Sequence, residues 1–340
     1  MKPSEKTIKF NIGNVTIGGD SKILLQSMCN FKTSEIDKVV QQINLCTSLG
    51  ADLMRISVKD DEDLLAIKEI KKTTSIPLIA DIHFVDEYVI KAIENGIDAI
   101  RINPLNINLD SFLRIVDCAK KHDTAIRIGF NSGSRISFDS KEFISLVKQY
   151  VSICENANFN KLVLSYKDSN ILNTIKYTKL LSESFNYPVH IGLTEAGTIK
   201  NSLLKSGIAL GDLLLSGIGN TIRISITGNP EDEIIAARKV LGFLNIVKCP
   251  EVISCPTCGR TEVDIKDLAD KIENYLFKNN INITVAVMGC AVNGPGEASK
   301  ADIGLAGGKK EFILFKQGTI IKKVPQNIAF EALIEEINNL

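Results

Sequence analysis

Ala99-Ile100-Arg101-Ile102-Asn103 is followed, after a helical stretch at 110–122, by Ala125-Ile126-Arg127-Ile128-Gly129-Phe130. Each run is a short apolar segment interrupted by one arginine. The stretch between them has the length and pattern of a helix that carries one strand over to a parallel neighbour. The same arrangement recurs in both directions, with an arginine between apolar residues in Met54-Arg55-Ile56 and in Ile222-Arg223-Ile224. Strands are expected at 23–28, 53–58, 78–82, 99–103, 125–130, 162–166, 189–193 and 221–226. Helix-like stretches lie between them, among them 35–49, 61–73, 86–95, 110–122 and 230–244, several with Ser or Asp near the start as capping requires. Eight strand–helix units in about 225 residues predict an α/β chain with a closed (β/α)8 barrel of the TIM type. An open doubly wound sheet usually needs fewer strands, and no glycine-rich dinucleotide turn follows the first strand.

Beyond Lys248-Cys249-Pro250 the pattern changes. Two cysteine-bearing segments flank a helix expected at 263–277, followed by strand-like runs at 311–315 and 319–324 and a terminal helix from about Gln326. The reading is two domains, a barrel over 1–247 and a small α+β domain over 248–340. The composition agrees with a folded enzyme, since 44% of the 340 residues are hydrophobic and 24% charged. Forty basic residues balance forty acidic ones, which argues against broad binding to nucleic acid or anionic lipid. No apolar run reaches membrane-spanning length, and Met1-Lys2-Pro3-Ser4-Glu5-Lys6 lacks the apolar region of a signal peptide, so a cytoplasmic protein is expected. Eight cysteines are too sparse for a secreted disulfide scaffold, and in a reducing compartment they are free, redox-active or metal-bound.

Side chains alternate faces along a strand. If the apolar neighbours face the helices, Arg55, Arg101, Arg127 and Arg223 face the barrel interior. The same parity turns Asp81, His83, Asn103, Ser165, Lys167, His190 and Thr194 inward, mostly toward the C-terminal strand ends where barrel enzymes build their sites. Gly129 and Gly192 leave room there. Four arginines and Lys167 are five cations, whereas the evident inward acids are Asp81 and Glu195. Interior pairing alone would make the arginines structural. Unpaired buried charge is costly, so the surplus points instead to an anionic ligand, and guanidinium forks suit a phosphate or diphosphate.

Cys255-Pro256-Thr257-Cys258 is followed by Cys290 and then by Glu297 within Asn293-Gly294-Pro295-Gly296-Glu297. A Cys-x-x-Cys pair places two thiolates on one turn, which suits zinc or an iron–sulfur cluster. A structural zinc site closes with a second pair or with histidines, and none of the three histidines lies in this region. Cys249 is a rival fourth ligand, made awkward by Pro250. The spacing favours a cluster over zinc, with Glu297 the nearest oxygen donor.

Taken together, these pieces resemble one family, the bacterial 4-hydroxy-3-methylbut-2-en-1-yl diphosphate synthases of the non-mevalonate isoprenoid pathway. The resemblance rests on Ile253-Ser254-Cys255-Pro256-Thr257-Cys258-Gly259-Arg260 and on Val287-Met288-Gly289-Cys290-Ala291-Val292-Asn293-Gly294-Pro295-Gly296-Glu297-Ala298. In the barrel it rests on Ala80-Asp81-Ile82-His83-Phe84, Arg101-Ile102-Asn103-Pro104, Thr194-Glu195-Ala196-Gly197 and Gly217-Ile218-Gly219-Asn220-Thr221-Ile222-Arg223. It implies a [4Fe–4S] cluster on Cys255, Cys258, Cys290 and Glu297, in a domain resembling the cluster domain of sulfite and nitrite reductases. It implies a cyclic diphosphate substrate, 2-C-methyl-D-erythritol 2,4-cyclodiphosphate, held among Arg55, Arg101, Arg127, Lys167 and Arg223. Asp81, His83, Asn103 and Asn131 would complete the substrate site, with Glu195 as proton donor or positioner.

The resemblance further implies a homodimer in which one subunit's cluster domain closes over the partner's barrel, and flavodoxin or ferredoxin as electron donor. Cys29 and Asn220 stand where the family more often has Thr and Asp, a departure expected to touch details of the barrel rim. A different phosphosubstrate barrel enzyme with a structural zinc module, or a non-catalytic electron carrier, are the readings of other classes. The first would bind zinc, and the second would not need five interior cations.

Overall fold

The structure, a computed structural model, describes residues 2–82, 86–131, 139–290, 298 and 300–340. The chain divides into two compact units, Met1–Val240 and Leu241–Leu340.

The first unit opens with an antiparallel hairpin of β1 (Phe10–Ile12) and β2 (Val15–Ile17). Eight parallel strands follow: β3 (Leu24–Met28), β4 (Leu53–Val58), β5 (Leu78–Ile82), β6 (Ala99–Ile102), β7 (Ala125–Asn131), β8 (Leu162–Lys167), β9 (His190–Ile191) and β10 (Thr221–Ile222). They are joined in the order β8-β7-β6-β5-β4-β3-β10-β9, and a parallel bridge between Leu164 and Val189 brings the two ends of that order together. The helices between and after them are α1 (Ile36–Ser48), α2 (Asp61–Thr73), α3 (Asp86–Glu94), α4 (Leu109–Lys121), α5 (Ser140–Asn156), α6 (Ile171–Ser184), α7 (Ile199–Leu215) and α8 (Pro230–Phe243). Their starts follow local chemistry. Asp60, Asn108 and Asn170 each accept a backbone N–H from the third residue on, satisfying a donor that the first helical turn leaves open.

The predicted barrel is therefore what forms, with two differences. The last two strands, expected at 189–193 and 221–226, are only two residues long. Arg223 N–H still donates to Ile191 O (3.1 Å), but the segment after β9 leaves the ladder through Glu195 (φ 52°) and Gly197 (φ 92°). The chain there builds rim instead of sheet. The hairpin is the second difference. Phe10, Ile12 and Ile17 pack on Leu24, Leu53, Ile79, Ala99, Ala125 and Val163, the first or second residues of six barrel strands. The N-terminal mouth is closed by an apolar plug, and polar interior side chains are confined to the levels above it.

In the second unit, β11 (Glu251–Ser254), β12 (Thr284–Met288), β13 (Ile303–Gly308), β14 (Glu311–Lys316) and β15 (Thr319–Pro325) form one five-stranded sheet in sequence order. The first three are parallel and the last two antiparallel. Two helices, α9 (Lys266–Lys278) and α10 (Ala329–Asn338), contribute Ile272, Leu276, Leu333 and Ile337 to a core with Val285, Val287, Leu305 and Leu314. The first of them starts three residues after its expected position. Val263 and Ile265 serve as buried core side chains ahead of it, and Lys266 N–H donates to Asp264.

Candidate functional site

Strand register sets the interior levels of the barrel. Asp81 is paired with Arg101 across β5 and β6, Arg101 with Arg127 across β6 and β7, and Asn131 with Lys167 across β7 and β8. Arg55, Asp81, Arg101, Arg127, Asn131, Lys167 and Arg223 line a single cavity of about 450 Å³, together with Ser165, Leu193, Thr194 and Ser225. Two glycines keep it open. A Cβ at Gly129 would lie 2.9 Å from Ser165 Oγ, and one at Gly192 would lie 3.0 Å from Lys167 Nζ and 2.5 Å from Arg223 O.

The arginines are held by an ordered set of acceptors. Asp81 lies between Arg55 Nη2 (3.5 Å) and Arg101 Nη1 (3.7 Å). Arg101 Nη2 also donates to Gly129 O (3.2 Å), and the Asn131 amide, with its oxygen turned inward, accepts from the same nitrogen at 3.1 Å. Arg55 Nε and Arg223 Nη1 approach Met28 Sδ from two sides, at 3.1 and 3.7 Å. Arg223 makes a two-pronged pair with Glu233, Nε to Oε2 at 2.9 Å and Nη2 to Oε1 at 3.0 Å.

Charges in this cavity weigh on one another. Burial pushes Arg55 down to about 10 against the pull of Asp81. Burial, and then repulsion by Arg55 and Arg101, drives Arg127 well below the usual arginine range. Lys167 is lowered in the same way by burial and by Arg127 and Arg223. His190 is fully buried with neither ring nitrogen hydrogen-bonded among the described residues, and burial, reinforced by Lys167 and Arg127, favours its neutral form. Among the described residues, five cations meet two carboxylates, Asp81 and Glu233. A buried surplus of this size is stabilised by an anion with several oxygens.

Not every expected residue reaches this cavity. Asn103 caps the turn at Pro104–Asn106, accepting from Leu105 N–H (3.2 Å). Glu195 is exposed, one residue past the lining Thr194. His83 lies outside the described residues. The second interior acid is thus Glu233, from the first turn of α8, in place of Glu195. Its signal in the sequence is slight, because Asn229-Pro230-Glu231-Asp232-Glu233 reads as an ordinary acidic helix start. Asn220 is not a rim residue. It precedes β10 at the N-terminal end, donating to Ser4 O (3.1 Å) and accepting from Val189 N–H (3.0 Å). Cys29 is buried just after β3, with its thiol pushed up to about 12 by burial.

In the second unit, Ser254 is paired with Val287, so Cys255 leaves β11 beside the end of β12. There Gly289 N–H donates to Cys255 Sγ (3.2 Å), and Cys290 is the next residue. Cys258 N–H donates to Thr261 Oγ1 (3.1 Å), and hydrogen bonds from Arg260 hold the exposed Cys258 thiol below its ordinary value. Glycine is required in this corner. A Cβ at Gly289 would lie 2.9 Å from Thr261 Cγ2, and one at Gly307 would lie 2.6 Å from Gly289 O. Among the described residues, no three His, Cys, Asp or Glu side chains converge on one metal position, and Glu297 lies outside them. Cys249 belongs to the other end of the sheet. It precedes β11 and lines a cavity with Glu251, Thr284 and Asp302, all at N-terminal strand ends.

Two family models match consecutive parts of the chain, the GcpE TIM-barrel domain over residues 7–238 and the GcpE protein C-terminal domain over residues 251–339. The chain belongs to the GcpE family. Among GcpE relatives, the protein of Ruminiclostridium cellulolyticum named 4-hydroxy-3-methylbut-2-en-1-yl diphosphate synthase (flavodoxin) is 45% identical, covering 98% of each chain. The identically named proteins of Malacoplasma penetrans and Geobacillus thermodenitrificans are 44% and 41% identical, covering 99% and 98% of this chain and 94% and 92% of their own. Solved structures with a likeness of fold include a Yersinia pestis dihydropteroate synthase, with 15% identity and a TM-score of 0.53, covering 70% of this chain and 98% of the other. At that identity the likeness concerns the fold alone. The GcpE assignment does not favour the reading of an unrelated barrel enzyme with a zinc module.

Proposed function

We propose that this chain is an oxidoreductase of isoprenoid precursor synthesis that converts 2-C-methyl-D-erythritol 2,4-cyclodiphosphate to (E)-4-hydroxy-3-methylbut-2-en-1-yl diphosphate. The reaction consumes two electrons, opens the cyclic diphosphate and releases one oxygen as water. The observation that carries the reading is the barrel cavity, in which, among the described residues, five cations face two carboxylates. Its relatives' shared name supplies a diphosphate of matching charge.

Arg55, Arg101, Arg127, Lys167 and Arg223 hold the diphosphate, and Asp81 and Asn131 keep the arginines oriented while contacting the carbon skeleton with His83. Glu195 stands at the mouth as proton donor or positioner. The barrel, residues 1–247, is the substrate domain, and residues 248–340 are the cluster domain. Cys255, Cys258, Cys290 and Glu297 would hold a [4Fe–4S] cluster. The donor chemistry fits it, since an N–H already reaches the Cys255 sulfur and two glycines leave the corner uncrowded. When bound, the cluster supplies electrons singly and a Lewis-acidic iron. Flavodoxin, named for the relatives, is the proposed donor, with ferredoxin as its substitute. A cytoplasmic homodimer is proposed from the family resemblance, and no helix among the described residues is long and apolar enough to cross a membrane.

The test is anaerobic incubation of the purified chain with the cyclic diphosphate and reduced flavodoxin. Appearance of the acyclic allylic diphosphate supports the reading. Recovery of unchanged cyclic diphosphate, with reductant and cluster intact, would remove it.

A further inference from the structure

The Glu233 carboxylate is 3% exposed and receives four hydrogen bonds. Oε2 accepts from Ser27 Oγ (2.6 Å) and Arg223 Nε (2.9 Å), and Oε1 accepts from Arg223 Nη2 (3.0 Å) and Ile226 N–H (3.1 Å). Both oxygens are thus saturated, the condition under which a buried carboxylate is tolerated. The anchors come from three places: Ser27 on β3, Ile226 on the segment after β10, and Glu233 itself on α8. Ser27 and Ile226 fix the Glu233 carboxylate, and Glu233 in turn holds two nitrogens of the Arg223 guanidinium. With Nε and Nη2 committed to Glu233, Arg223 has Nη1 left, which lies beside Met28 Sδ (3.7 Å), and Arg223 itself lines the cavity.

We propose that Glu233 is a positioning residue for substrate binding: it locks the Arg223 guanidinium so that one edge is spent on the protein and the other is presented to the diphosphate. It also offsets one charge, so Arg223 binds the substrate by directed hydrogen bonds more than by bare attraction. Arg127, whose Nε and Nη1 have no hydrogen-bond partner among the described residues, fills the opposite role of a less compensated cation. This proposal rests on the reading of the cavity as the diphosphate site. Glutamine at 233 has nearly the same shape but must turn an NH2 group toward the two donors that met one carboxylate oxygen. Whichever way the amide turns, one prong of the Arg223 pair is lost, and either Ser27 Oγ or Ile226 N–H faces the NH2 with it.

The test measures the dissociation constant of the cyclic diphosphate by calorimetry on the anaerobically purified full chain, together with KM and kcat with a chemical reductant. Five proteins are compared: wild type, Glu233→Gln, Arg223→Lys, the double variant and Ser27→Ala. Glu233→Gln is expected to weaken binding and raise KM about tenfold with kcat within about twofold, a factor of ten being about 1.4 kcal/mol. The double variant is expected to bind no more weakly than Arg223→Lys alone, because both changes remove the same directed contact. Ser27→Ala, which removes one anchor and keeps the charge, is expected to raise KM about threefold. Fully additive effects, or a lower melting temperature with unchanged KM, would overturn the positioning role while leaving the site reading in place. Unchanged affinity in Arg223→Lys would overturn the site reading and the proposal with it.

Discussion

Arg101 and Arg127 are register partners on adjacent parallel strands, yet they are held differently: Arg101 faces Asp81, Gly129 O and the Asn131 amide, whereas Arg127 has two buried nitrogens without a hydrogen-bond partner among the described residues. Two cations placed side by side in a low-dielectric interior repel each other, and among the described residues only Arg101 of the pair lies within ion-pair distance of a carboxylate.

The consequence is a division between affinity and stability. Arg127→Met keeps much of the aliphatic volume and removes the charge. It should weaken binding of the cyclic diphosphate by about 1.5–3 kcal/mol, the range for a hydrogen bond to a charged group. The melting temperature of the ligand-free protein should stay level or rise, since a repelled, poorly bonded cation is gone. Calorimetry and thermal unfolding check both. A collapsed melting temperature with unchanged affinity would make Arg127 a structural residue.

Lys167 gives the pH dependence. In the ligand-free fold its affinity for a proton is depressed by burial and by the neighbouring arginines, whereas in the unfolded chain it titrates near 10.5. Between those two values the unfolded state binds more protons, so ligand-free stability rises with pH across that window. A bound diphosphate restores the charged form. Binding should therefore take up protons, and affinity should fall as pH rises through the depressed value. Titration calorimetry in two buffers of different ionisation enthalpy reads the proton count directly, and net proton release on binding would contradict this account.

The cysteines divide by their position on the second sheet. Cys255 and Cys290 follow the C-terminal ends of β11 and β12, and Cys258 is three residues after Cys255. Cys249 lies before β11 and packs so closely on Gly242 that a Cβ there would come within 2.4 Å of the Cys249 Cβ. Serine at 255, 258 or 290 should each abolish bound iron and sulfide and all turnover. Cys249→Ser should retain both at near wild-type levels. Loss of iron in the Cys249 variant would show that this thiol is a ligand after all.

Much of the barrel was legible because a parallel strand announces itself twice, by an apolar run and by its spacing from the next helix. The spans at 53–58 and 78–82 agree with β4 and β5 residue for residue. Alternation placed the arginines on one face of their strands, and register then brings them into one cavity. Glu233 was not legible. An acid in the first turn of a helix normally faces water and the helix dipole, and nothing in helical periodicity says that this one reaches Arg223. Glu195 misled for the complementary reason. It was counted as an interior acid beside the inward Thr194, but the backbone there is left-handed, the strand has ended, and the side chain is exposed. The plugging hairpin could have been found, since Phe10-Asn11-Ile12-Gly13-Asn14-Val15-Thr16-Ile17 alternates apolar and polar residues about a Gly-Asn turn. The strands β11, β12 and β13 were obscured because their apolar runs border the cysteine segments, whose chemistry dominated the reading of that region.

The central claim is that electrons pass through an iron–sulfur cluster on this chain to a diphosphate held in its barrel. The most direct measurement is of the anaerobically purified full chain, by iron and sulfide content followed by the visible and electron paramagnetic resonance spectra of the reduced protein before and after addition of the cyclic diphosphate. The expected result is the iron and sulfide of one [4Fe–4S] cluster per chain, and a reduced-cluster signal that changes when the substrate is added and is spent as product forms. Stoichiometric zinc in a colourless protein, or a reduced cluster indifferent to the cyclic diphosphate, would contradict it.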